Sequence, residues 1–331
     1  MMNAPAILNN RPRVLVTRRW PQTVEAELAE RFDTVFNVKD RPMSAEDFRE
    51  ALSQFDAILP TVTDGLGSEA MDVSEARTRI LANYGVGFSH IDTDAAKKLG
   101  IAVTNTPDVL SECTADLAMT LMLMVARRAG EGERELRAGQ WTGWRPTHLV
   151  GAKVSGKVLG IVGFGRIGQA MAHRAHFGFG MKILVQNRSR IAQHVLDRYN
   201  AVQVDTIEGL LPQCDFVSLH CPGGAANRHL INSHRLDLMK PGAYLINTAR
   251  GEVIDEHALA QALMFDCIGG AALDVFDGEP KVAPILLDCD NLVMLPHLGS
   301  ATEETRTAMG MRVLDNLVDF FEGRTPGDQV A

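Results

Sequence analysis

Short apolar runs alternate with longer amphipathic stretches along the whole of this 331-residue chain. RVLVT (13–17) predicts a strand and TVEAELAERF (23–32) a helix. DAILP (56–60) and RILANY (79–84) predict strands, DTDAAKKLG (92–100) a helix closed by Gly100, and IAVTN (101–105) a further strand. Thr106-Pro107-Asp108 breaks this pattern. The stretch Leu110–Arg128 then predicts a long helix whose second half is apolar on nearly all sides, as in a helix buried between domains or subunits. A loop without periodic pattern, GQWTGWRPTHLVG (139–151), follows.

A second series begins at KVLGIVG (157–163). It continues with helix 166–177, strand KILVQ (182–186), helix 190–199, strand DFVSLH (215–220) and helix 233–239. Strand AYLIN (243–247), helix 255–264, strand IGGAALDVF (268–276), strand LVMLP (292–296) and a helix over 301–322 complete it. Repeated βα alternation implies parallel sheets with helices on both faces. The expected fold is α/β: two Rossmann-like or flavodoxin-like parallel-sheet domains with a cleft between them. The second series looks complete in itself, so one domain is expected over 108–298. The other is expected to be discontinuous, 1–107 with 299–331, the last helix returning to it.

Composition narrows the class. Hydrophobic residues make up 46% and charged residues 22%, ordinary globular usage that excludes a disordered chain, a fibre or a disulfide scaffold. Thirty-three basic against 41 acidic side chains give a net charge of −8, which argues against a nucleic-acid partner. The most apolar stretch, Leu117–Ala126, is too short for a bilayer and is bracketed by Asp116 and Arg127, so no membrane partner is expected. The N-terminal MMNAPAILNNRPR lacks the charged start and apolar run of a signal peptide. Cys113, Cys214, Cys221, Cys267 and Cys289 are scattered and form no CxxC pair; free thiols in a reducing, cytoplasmic setting are expected.

Gly163-Phe164-Gly165-Arg166-Ile167-Gly168 reads GxGxxG between a predicted strand and a predicted helix. Alone the string is weak, because glycine-rich turns are common. In this setting Gly163 permits a tight turn, Gly165 lets a pyrophosphate approach the backbone, and Gly168 lets helix and strand pack closely, with free N–H groups at the helix start. A dinucleotide site is expected. Strand KILVQ ends at Gln186, and no acidic residue stands between Gly168 and Asp197 to take a ribose 2′-OH. Asn187-Arg188-Ser189 would instead attract a 2′-phosphate. NADP(H) is the preferred cofactor expected, with NAD(H) as the alternative.

Three segments end apolar strands with reactive side chains: Asn247–Gly251, Leu273–Pro280 and Leu295–Ser300. Hydride transfer to a 2-oxo acid needs a cation for the carboxylate and carbonyl, an acid for the developing alkoxide, and a group that keeps that acid charged. Arg250, His297 and Glu279 suit these roles in that order. Each is weak alone, since a lone Arg is more often a surface charge and a lone His a core residue. His173 and His176 are spaced to share a helix face, but no third ligand accompanies them and no metal is expected.

The blocks NYGVGFSHID (83–92), VGFGRIG (162–168), INTARGEVID (246–255), ALDVFDGEP (272–280) and LPHLGSAT (295–302), in this order and spacing, resemble the D-isomer-specific 2-hydroxyacid dehydrogenase family over essentially the whole chain. The resemblance implies catalytic Arg250, Glu279 and His297, and substrate-carboxylate amides from Val86 and Gly87. It implies Asp274 near the nicotinamide, and Thr248, Ala249, Arg250, His297 and Gly299 along the cofactor. It makes 108–298 the NAD(P)-binding domain and the discontinuous one the substrate-binding, catalytic domain. The 140–151 segment and the NRS triplet look like the glyoxylate/hydroxypyruvate reductases, homodimers in which the residue matching Trp144 can reach the neighbouring subunit's substrate site; simple dimer packing is the other reading of Trp141 and Trp144. The expectation is thus an NADPH-dependent reductase of glyoxylate and hydroxypyruvate. Rivals are an NADH-dependent dehydrogenase of another or bulkier 2-oxo acid, an enzyme acting on formate or phosphite, and a nucleotide-sensing interaction protein without turnover.

Overall fold

The structure, a computed structural model, describes residues 11–331. The signal-peptide reading rests mostly on residues 1–10, outside that range. The chain divides into two compact units, one comprising the chain up to Val109 together with Thr302–Ala331, the other Leu110–Ala301.

The first unit is built on strands β1 (Arg13–Val16), β2 (Asp33–Phe36), β3 (Ala57–Leu59), β4 (Ile80–Ala82) and β5 (Ala102–Thr104). They are all parallel, in the order β2-β1-β3-β4-β5, which is the flavodoxin-like winding. Val14 sits between Thr34 and Ala57. The helix Ala45–Gln54 opens on a reciprocal cap: the Asp47 amide donates to Ser44 Oγ at 3.1 Å, and the Ser44 amide to the Asp47 carboxylate at 2.7 Å. Its buried stripe is Phe48, Ala51 and Leu52. The last helix, Glu303–Phe321, is capped by Thr302 and closed at Gly323, whose φ of 79° favours glycine. It packs on the helix Gln22–Arg31 so closely that a Cβ on Gly310 would come within 2.6 Å of Val24.

The second unit carries β6 (Val158–Val162), β7 (Lys182–Gln186), β8 (Ala201–Gln203), β9 (Phe216–Leu219), β10 (Tyr244–Asn247), β11 (Gly270–Leu273) and β12 (Leu292–Met294). The sheet is parallel in the order β12-β11-β10-β9-β6-β7-β8. The chain starts at β6, winds outward through β7 and β8, then returns to β9 on the other side. That reversal beside β6 is a topological switch point, where ligands of open α/β sheets bind beyond the carboxyl ends of the strands.

Side-chain alternation splits the core of this sheet. Val217, Leu245, Ala271 and Leu273 join the apolar cluster on one face. Phe216, Ile246 and Ala272 join the other, with Leu159 and Ile161. Strands covered on both faces read as continuous apolar runs, which is why β9, β10 and β11 are plain in the sequence. The long helix Ser111–Ala126 buries Ala115, Ala118, Met119, Leu121, Met122, Val125 and Ala126 in the second of these clusters. The apolar surface expected to lie between domains or subunits is thus largely absorbed by the unit's own sheet.

Several elements differ from expectation. Strands β2 and β8 were not anticipated; both are edge strands, only partly buried, and lack an apolar run. The helix expected over 166–177 stops at His173 and widens into a π-turn over Arg174–Gly178. The helix expected over 190–199 shrinks to Gln193–Asp197. The helices Ala45–Gln54 and Ala129–Arg137 were also missed; the second buries no residue and carries only a polar pattern.

Candidate active site

The turn after β6 is shaped for a phosphate. Gly163 has φ +90°, and a Cβ there would lie 2.7 Å from the Cys221 amide nitrogen and from the His220 carbonyl carbon. A Cβ on Gly168 would lie 2.3 Å from the Gly163 oxygen, so only glycine lets this helix close on its strand. Gly165 faces open space. The helix Arg166–His173 begins there, with Arg166 exposed, Ile167 half-buried and Phe164 packed edge-on against Tyr199. At the end of β10, Thr248 Oγ1 is buried without a hydrogen-bond partner. The cradle and this orphaned hydroxyl fit a bound dinucleotide.

At the end of β7, Asn187 and Ser189 are engaged with one another. Asn187 Nδ2 donates to the Ser189 carbonyl and hydroxyl at 3.1 Å, and Asn187 Oδ1 accepts from the Phe164 amide at 3.2 Å. This ties the loop to the glycine turn and leaves Arg188 and Arg190 exposed.

Three adjacent strand ends supply the reactive side chains. After β10, the Ala249 amide donates to Asn247 Oδ1 at 3.0 Å and Asn247 Nδ2 to the Arg250 carbonyl at 2.9 Å, folding the 247–250 turn. Gly251 is pressed against the next loop, where a Cβ would meet the Phe276 carbonyl carbon at 1.9 Å. Burial depresses the Arg250 guanidinium, and the Glu279 and Glu252 charges oppose that. After β11, Glu279 accepts from the Phe276 amide at 3.0 Å through Oε1. Its Oε2 lies 2.7 Å from His297 Nδ1, beyond β12. Burial would raise the Glu279 carboxyl, but the His297 hydrogen bond and charge, the Phe276 amide and the Arg250 charge together hold it below the usual range.

Asp274 organises the histidine loop. The His297 amide donates to the Asp274 carbonyl at 2.9 Å. The Leu298 and Gly299 amides donate to its two carboxylate oxygens at 2.7 and 2.8 Å. Three successive amides therefore fasten onto one residue, and His297 itself sits at φ +55°, a left-handed conformation that this clamp maintains. Burial pushes the Asp274 carboxyl up to about 6, against the pull of these amides and of His297.

Other expected residues lie elsewhere. Val86 and Gly87 belong to the first unit, in a loop beyond β4. Trp144 stands 82% exposed. His173 and His176 both pack against Phe177, tilted and edge-on, and among the described residues no group of three or more His, Cys, Asp or Glu is gathered to hold a metal. A polar cavity of about 580 Å³ opens at the amino ends of β10–β12, lined by Arg128, Tyr244 and Asn291, at the opposite ends of these strands from Arg250 and His297.

His220 was not anticipated. It follows β9 beside the glycine turn, with Nε2 2.9 Å from Ser218 Oγ and a buried Nδ1 that has no partner. Burial pulls it down to about 4, which makes it a neutral imidazole at pH 7. The strand-end rule that singled out the other three segments applies equally to LHCPGG (219–224).

The chain is similar to known proteins. The pattern of the D-isomer specific 2-hydroxyacid dehydrogenase, NAD binding domain, matches residues 119–299. A glyoxylate reductase of Thermococcus onnurineus is 41% identical over 320 residues, 96% of this chain and 95% of that one. A D-isomer specific 2-hydroxyacid dehydrogenase structure from Polaromonas superposes with a TM-score of 0.90 at 35% identity, over 97% of this chain and 100% of the other. An NADPH-dependent glyoxylate/hydroxypyruvate reductase from Sinorhizobium meliloti, solved with NADP and malonate, gives 0.85 at 34% identity over 97% of each. The nucleotide cradle, the three strand ends and this full-length similarity lead to one conclusion: the chain belongs to the D-isomer specific 2-hydroxyacid dehydrogenase family of NAD(P)-dependent oxidoreductases.

Proposed function

We propose that this protein reduces small 2-oxo acids, glyoxylate and hydroxypyruvate, to their 2-hydroxy acids with NADPH. The observation that carries the reading is the 2.7 Å contact between His297 and Glu279, with Arg250 on the neighbouring strand end. The bound dinucleotide supplies the hydride. Arg250 grips the substrate carboxylate and polarises the carbonyl, and the Val86 and Gly87 amides contribute to the same carboxylate. With Nδ1 held by Glu279, His297 Nε2 is the atom that gives its proton to the developing alkoxide. Glu279, kept ionised, accepts at Nδ1 and fixes the imidazole ring.

The preference for NADPH rests on the exposed Arg188 and the lack of a carboxylate at the end of β7. One solved relative, the Sinorhizobium meliloti glyoxylate/hydroxypyruvate reductase, is NADPH-dependent, which supports the reading. Assaying a panel of 2-oxo acids with both reduced nucleotides tests the whole reading. Glyoxylate or hydroxypyruvate with NADPH should give the highest kcat/KM. A preference for bulky acids with NADH, or nucleotide binding without turnover, would replace it.

We read the protein as a cytoplasmic homodimer. None of its five cysteines is in a disulfide, and among the described residues no helix is long and apolar enough to cross a membrane. The second unit exposes Leu136, Trp141, Trp144, Val150 and Phe265, each more than half accessible, apolar side chains that a subunit contact would cover. Light scattering of the purified protein should return twice the 36.1 kDa chain mass.

A further inference from the structure

Three carbonyls of the loop after β4 are each held by neighbouring donors. The Gly85 oxygen accepts from Asn83 Nδ2 at 3.0 Å and from the Thr106 amide at 3.0 Å. The Val86 oxygen accepts from Asn105 Nδ2 at 2.8 Å, and the Gly87 oxygen from Asn83 Nδ2 at 3.1 Å. Three consecutive carbonyls thus point into the first unit. These peptide bonds are trans, so each C=O is antiparallel to the N–H of the next residue. The Val86, Gly87 and Phe88 amides must therefore face the opposite way, and among the described residues none of them donates to the protein.

The two asparagines are themselves anchored. Asn83 is fully buried, with Oδ1 3.1 Å from His90 Nε2. Asn105, 8% exposed, gives its amide to the Asp328 carbonyl at 3.2 Å, and its own carbonyl accepts from Asn316 Nδ2 at 3.3 Å. Asn316 also donates to the Asp328 carboxylate at 3.0 Å, which Arg312 grips at 2.6 and 2.8 Å. A carboxylate cradle made of backbone amides has no side chain of its own to hold it in shape. Here buried, hydrogen-bonded side chains do so, and such networks rigidify what they touch.

We propose that Asn83 and Asn105 are positioning residues that turn the Val86, Gly87 and Phe88 amides outward as a preformed anion nest for the substrate carboxylate, Asn105 setting the Gly87 amide in particular. This rests on the reading that Val86 and Gly87 receive that carboxylate. The test compares Asn105→Ala and Asn105→Asp with the native enzyme, in KM for glyoxylate, inhibition by oxalate, KM for NADPH and kcat. Asn105→Asp keeps the shape but cannot donate when ionised. Both variants should raise KM for glyoxylate and Ki for oxalate about tenfold, the worth of one hydrogen bond, with KM for NADPH unchanged and kcat altered less. The Asn105→Asp penalty should shrink toward acidic pH, where a protonated carboxyl donates again, while that of Asn105→Ala should not. Val86→Pro, which deletes one amide, tests the underlying reading separately. If Val86→Pro raises KM for glyoxylate but folded Asn105 variants do not, the positioning role is overturned and the carboxylate reading survives. If neither variant changes it, both fall. Parallel losses in every parameter with no pH-dependent recovery would reduce Asn105 to a structural residue and also overturn the proposal.

Discussion

Oε2 of Glu279 lies 2.7 Å from Nδ1 of His297, although 18 residues of chain separate them. The contact orients the imidazole, and it also ties ionisation to stability. Glu279 is held below its ordinary value of 4.5. Its charge therefore stabilises the fold above that value, a contribution lost as pH falls through the lowered folded value. Glu279→Gln should be less stable than the native protein in urea at neutral pH, with the gap closing toward acid. A gap of constant size across that range would show that the carboxylate charge is not what stabilises. Turnover should fall about tenfold or more, because His297, the proposed proton donor, loses its orienting partner.

Replacing His297 tests the proton donor directly. Asn is the informative substitution, because it tolerates the left-handed backbone found at φ +55°. His297→Asn should lower kcat by roughly 10²–10⁴ while NADPH binding, followed by fluorescence, stays near native. Near-normal turnover would remove the assignment.

Arg188 is exposed on the loop after β7, free to meet a 2′-phosphate. Arg188→Ala should raise KM for NADPH by about tenfold or more and leave KM for NADH nearly unchanged. Equal effects on both nucleotides would place the guanidinium elsewhere on the cofactor.

Gly251 follows Arg250, and a Cβ there would overlap the Phe276 carbonyl carbon at 1.9 Å and the Asp277 nitrogen at 2.2 Å. Both are backbone atoms that cannot swing aside. Gly251→Ala should cost about 1–3 kcal/mol or more in denaturant unfolding and lower activity, since Arg250 and Glu279 stand on the two loops that must separate. Native stability in this variant would mean the loops can part freely.

The parallel strands of both units were legible because strands covered on two faces are written as unbroken apolar runs, such as KILVQ and AYLIN. The edge strands β2 and β8 were not, because one side of each faces solvent and their residues mix polar with apolar. Arg250, Glu279 and His297 were legible as candidates because each follows such a run at a turn.

What the chain alone determined is local: which segments form strands and helices, where glycine must stand in the phosphate turn, and which reactive side chains end which strands. These follow from side-chain periodicity and backbone sterics, which act over a few residues. Tertiary structure decided the rest. The clamp of three amides on Asp274 and the hold of Asn105 on the Val86 carbonyl join segments distant in sequence, and the buried, unpartnered Nδ1 of His220 follows from what packs around it. Hydrogen bonds of that kind depend on strand order and register, which place particular atoms within 3 Å of one another and leave no periodic trace in the sequence.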